Sequence, residues 1–77
     1  MFRAKIVRDN VDNMGNGLYI KRFVADTPDG TVEVIANVIY VDGEVANLDT
    51  TITNQQILRK IPKLEMELQD LIDDLYG

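Results

Sequence analysis

The stretch from Thr31 to Val41, TVEVIANVIYV, lies between two Asp-Gly pairs and has the β-branched content of a long strand. It places Val34, Val38 and Tyr40 on one face and Ile35 and Ile39 on the other, so both faces of any sheet built around it are apolar. A chain of 77 residues buries only about 60% of its unfolded surface. It therefore has too little material to cover both faces, and a second layer is expected from outside the chain.

Three turn signals organise the first fifty residues. Asn16-Gly17, Asp29-Gly30 and Asp42-Gly43 are each flanked by β-rich runs, and such pairs tolerate the positive φ of tight hairpins. The pattern predicts strands over about Phe2 to Asp9, Leu18 to Asp26, Thr31 to Val41 and Glu44 to Ile52. A two-residue Asp42-Gly43 loop sets Val41 opposite Glu44 and Ile39 opposite Ala46. A type I turn at Thr27-Pro28-Asp29-Gly30 with a glycine bulge sets Phe23 beside Ile35 and Val24 beside Val34. One face then carries Leu18, Ile20, Val24, Val34, Val38, Tyr40 and Val45. The other carries Tyr19, Phe23, Ile35, Ile39, Leu48 and Ile52, and these six are the expected interface residues.

The rest of the chain reads as helix. Thr53-Asn54-Gln55-Gln56 fits a capping box, and Ile57, Ile61, Leu64, Leu68, Leu71 and Leu75 recur at helical spacing. Pro62 interrupts the pattern, which predicts helices of about Asn54 to Lys60 and Pro62 to Tyr76, or one kinked rod. The fold class is therefore α+β: a four-stranded antiparallel β-meander followed by a C-terminal amphipathic helix, kinked or broken near Pro62. Residues 1–77 form one domain, with the meander over 1–52 and the helical segment over 53–77. A helix about 10 Å wide covers two strands well and four poorly.

Little in the chain supports chemistry. It contains no His, no Cys and no Ser, which removes the usual nucleophile and base combinations. No enzyme activity and no cofactor are expected, and no metal site. The oxygen-rich loop Asp9 to Gly17 does not match the EF-hand spacing, since Val11 or Met14 falls at a ligand position. No phosphate-binding glycine motif occurs.

Charge shapes the expected partners. Residues 1 to 22 carry a net charge of +3, Phe23 to Ile52 carry −6 with no base, and Thr53 to Gly77 carry −2. Arg3, Lys5, Tyr19, Lys21 and Phe23 could form a stacking platform for single-stranded nucleic acid if the first two strands pair. The acidic middle and a pI near 4.4 oppose a phosphate backbone, so nucleic acid is not the expected partner. No segment has the apolar length of a membrane span, and the first residues lack a signal-peptide core, so a cytoplasmic location is expected.

The expected function is a non-enzymatic protein–protein interaction module that self-associates as a homodimer or higher homo-oligomer. The alternative is an acidic inhibitor or regulator whose Glu65, Glu67, Asp70, Asp73 and Asp74 block a basic protein partner, such as one that binds nucleic acid. In type, a compact chain of hairpin signals without a chemical motif resembles the small accessory proteins of bacteria and their phages. No residue motif places it in a particular family.

Overall fold

The computed structural model describes residues 1–76. Four strands, β1 (Arg3–Val11), β2 (Gly17–Thr27), β3 (Gly30–Val41) and β4 (Glu44–Ile52), form one antiparallel sheet in the order β1-β2-β3-β4. Two helices follow, α1 (Gln55–Arg59) and α2 (Pro62–Tyr76), separated at Lys60 and Ile61. The architecture is the α+β meander with a helix break at Pro62. Pro62 opens α2, where its missing N–H is not needed, and the Ile61 carbonyl accepts from Leu64 (3.0 Å) and Glu65 (3.1 Å).

The register differs from the sequence expectation at two places, and both change the faces. Thr27 pairs with Gly30, so the β2–β3 loop is the two residues Pro28 and Asp29, and Phe23 faces Val34 rather than Ile35. Gly30 takes φ +139° as a strand residue instead of forming the expected bulge. The Thr27 hydroxyl closes the turn by donating to the Gly30 carbonyl (2.8 Å) and accepting from Asp29 N–H (3.2 Å). In the last hairpin, Asp42 and Gly43 both have positive φ and Val41 faces Glu44 as expected. A register shift then leaves Ala46 without a partner, so Ile39 faces Asn47 and Val38 faces Leu48. Because side chains alternate with period two, each one-residue slip transfers a strand's apolar set to the opposite face.

The helices cover one face only. Phe23, Ala25, Val32, Val34 and Ala36 form the core with Ile57, Leu58, Leu64 and Leu68, and Val32, Val34 and Ala36 are 0% exposed. Val38 is also buried, beside its register partners Tyr19 and Leu48. The helical stripe is therefore used as expected, but the capping box is not. Asn54 is the N-cap in a left-handed conformation with no side-chain cap bond. Its amide donates to the Thr31 carbonyl (2.6 Å), while the Thr53 hydroxyl accepts from Glu33 N–H (3.1 Å). Both residues thus tie the strand-to-helix junction to β3. Within α2, Glu67 accepts from Phe2 N–H (3.1 Å), which ties the start of the chain to the helix, and Phe2 packs against the core.

At the opposite end of the sheet, the β1–β2 and β3–β4 loops are bonded to each other. Gly43 N–H donates to the Gly15 carbonyl (2.9 Å), and Asp42 N–H donates to Asn16 Oδ1 (3.0 Å). A Cβ on Gly15 would lie 2.4 Å from Gly43 N, whereas one on Gly43 would meet nothing within 4 Å. The two glycines have similar φ, +79° and +81°. Gly43→Ala should cost about 1 kcal/mol from backbone strain alone. Gly15→Ala should cost more, about 2–4 kcal/mol, because it also separates the loops. Urea unfolding of the two variants checks that order, and equal losses would mean that the loop contact adds nothing.

Candidate interaction surface

The six expected interface residues do not share a face. Tyr19, Phe23, Leu48 and Ile52 lie on the helix side, where Phe23 is 5% exposed inside the core and Leu48 and Ile52 pack against it. Ile35 and Ile39 lie on the opposite face, which no helix covers. The register explains the split. Phe23 faces Val34 and Ile52 also faces Val34, while Tyr19 and Leu48 both face Val38.

The open face gains residues assigned by sequence reasoning to the helix side. Leu18, Ile20 and Val24 of β2 alternate with the buried set and join Ile35, Ile39 and Val41 of β3. All are at least partly exposed, with Ile39 at 42% and Val41 at 48%. The burial of β3 follows the pleat, buried at Val32, Val34, Ala36 and Val38 and half-buried at the alternate positions Thr31, Glu33, Ile35 and Asn37. An exposed antiparallel face normally carries polar residues at such positions. Here an aliphatic band runs along the two central strands.

Charges flank the band asymmetrically. On the β1–β2 half the strand residues of this face include Arg3, Lys5, Arg8 and Arg22, with Asp26 as the only acid. On the β3–β4 half they include Glu33, Glu44 and Asp49, with no base. Arg3 pairs with Asp26 and Arg22 pairs with Glu33 within the face. Exposed pairs of this kind contribute less than about 1 kcal/mol each. Among the described residues, Lys5 and Arg8 on β1 and Glu44 and Asp49 on β4 have no ion-pair partner. The +3 start and the acidic middle read from the sequence therefore become two sides of a single surface.

Other candidate sites are not assembled. Arg3 and Lys5 belong to the open face, while Tyr19, Lys21 and Phe23 belong to the helix face, so the stacking platform is divided between the two sides of the sheet. Lys21 instead sits 5.2 Å from the Phe23 ring centroid. In the Asp12 loop, one carboxylate oxygen accepts from Met14 N–H (2.9 Å) and Asn16 N–H (3.0 Å), so the acid serves the turn. No group of three or more His, Cys, Asp or Glu residues able to hold a metal occurs among the described residues. A cleft of about 440 Å³ opens between the sheet and α2, lined by Phe2, Lys21, Phe23, Glu67, Asp70, Leu71, Asp74 and Leu75. No described helix is long and apolar enough to cross a membrane.

No family model matches the chain, and no curated protein or solved structure similar to it is found.

The two faces should respond differently to truncation. Phe23→Ala removes a buried ring and should destabilise the protomer by about 3–5 kcal/mol. Ile39→Thr should cost less than about 1 kcal/mol when unfolding is measured at low protein concentration. Chemical denaturation of the two variants tests the assignment of faces, and a larger loss at Ile39 would reverse it.

Proposed function

We propose that the protein is a non-enzymatic interaction module that self-associates, and that its uncovered sheet face is the contact surface. The observation that carries this reading is the aliphatic band of Leu18, Ile20, Val24, Ile35 and Ile39 on a sheet with helices on its other side. The overall dimensions support it. A compact monomer of 8.7 kDa has an accessible surface of about 4,700 Å², whereas this chain exposes 5298 Å². Its radius of gyration is 13.5 Å, against about 11.5 Å for a compact domain of this length. The chain is an elongated slab, with more surface than its mass calls for.

The face suits association better than the edges do. Every residue of β1 is exposed, but the strand carries Arg3, Lys5 and Arg8 and a bulge between Ile6 and Arg8. Cations and bulges discourage edge pairing. β4 likewise has its irregularity at Ala46 and carries Glu44 and Asp49. A four-stranded face with strands of about nine residues offers roughly 500 Å² per copy, or about 1,000 Å² in a pair, which is the threshold for a biological interface and fits a reversible, concentration-dependent contact.

Light scattering and sedimentation across a dilution series should give a mass above 8.7 kDa that falls on dilution. Association through the aliphatic band should persist at about 0.5 M salt, where the Debye length is only about 4 Å. Ile39→Lys should leave a folded monomer, because a lysine there is harmless in water and costly under a second layer. A wild-type protein that stays a folded monomer at every concentration overturns the reading, as does an Ile39→Lys variant that associates normally.

A further inference from the structure

We infer that the second copy docks face to face about a two-fold axis parallel to the strands, so that Arg8 of each copy meets Asp49 of the other. This deepens the proposed self-association and rests on it. When two sheets stack with their strands aligned, the two-fold axis between them runs either along the strands or across them. An axis along the strands puts β1 of one copy over β4 of the other. An axis across the strands puts β1 over β1 and β4 over β4.

The charges choose between them. With the axis across the strands, the cationic half, with Arg3, Lys5, Arg8 and Arg22, lies on its own copy, and Glu33, Glu44 and Asp49 lie on theirs. Like charges set opposite each other across an interface cost several kcal/mol. With the axis along the strands, each cationic half lies on an acidic half. Arg8 on β1 and Asp49 on β4, both without an ion-pair partner inside one chain, are then brought together, while Lys5, on the same cationic edge, lies over Thr51.

The register makes the match specific. Arg8 faces Ile20, Ile20 faces Asn37 and Asn37 faces Asp49, so Arg8 and Asp49 occupy the two ends of one rung across the sheet. A two-fold along the strands preserves height along the strand, and it therefore superposes one end of this rung on the other. Leu18 and Ile39 are likewise register partners, and the same operation lays Leu18 of one copy over Ile39 of the other. Stacked sheets lie about 10 Å apart and cross at about −30°. An arginine and an aspartate together span that gap.

Sedimentation equilibrium at low ionic strength tests the pairing. Arg8→Asp and Asp49→Arg should each weaken dimerisation by about tenfold, because every dimer contains two such contacts. The double variant carrying both changes should return to within about threefold of wild type. Both positions are exposed, and circular dichroism verifies folding. The neutral pair Arg8→Gln and Asp49→Asn should shift affinity in the same direction by less. A wild-type dimer that the single changes do not weaken, or that the double change does not restore, overturns the axis while leaving self-association intact. A wild type that never associates overturns both.

Discussion

Everything in the fold depends on the pairing of Thr27 with Gly30. This contact makes the β2–β3 connection a two-residue loop, and a period-two structure turns loop length into a choice of face. With two residues in the loop, Phe23 and Ala25 join Val32, Val34 and Ala36 against the helices. With three, the same strand would offer Leu18, Ile20 and Val24 to the helices and expose a phenylalanine. The helical layer favours the first arrangement because Phe23 brings a large ring to a core that otherwise has small and β-branched sheet residues. The bulge at Ala46 does for β4 what the short loop does for β2, bringing Leu48 and Ile52 to the same side.

Much of the architecture was legible in the sequence because the signals were local. Asp42-Gly43 specifies its hairpin through the backbone freedom of two adjacent residues, and Pro62 ends one helix and starts another through its own ring. The faces were not legible, since they depend on non-local choices that turn chemistry leaves open. Gly30 can serve equally as a bulge residue or as the first strand position, and nothing adjacent to Ala46 marks it as the residue that loses its partner. The capping box failed for a related reason. Thr53 and Asn54 have the right side chains for a helix start, but β3 presents the Thr31 carbonyl and the Glu33 backbone within reach, and those bonds prevail.

The expected interface was affected by the same two slips. Only Ile35 and Ile39 of the six residues remain on the side without helices, and they belong to β3, whose own alternation no neighbouring register could alter. Leu18, Ile20 and Val24 read as apolar strand residues from the sequence, and the two-residue loop turns them to the open layer. The charge asymmetry, by contrast, carries over between edge strands, because Arg3, Lys5 and Arg8 lie on β1 and Glu44 and Asp49 on β4. Which face those charges occupy follows the register: with β2 set on β3 as observed, Arg3, Lys5 and Arg8 share the open face with Glu44 and Asp49, and this is why electrostatics can rank the docking axes.

The bonds between the Gly15–Asn16 and Asp42–Gly43 loops have a consequence for motion. The helices pack over the half of the sheet nearest the Pro28–Asp29 turn, and the far half has no such cover. Without a tie, its two hairpin ends would open independently as separate low-energy fluctuations. With the tie, exposing the backbone of either end breaks bonds belonging to both, so the loops form one cooperative unit. Amide exchange in β1 and β4 would therefore be linked, although these strands are at opposite edges and never touch along their lengths.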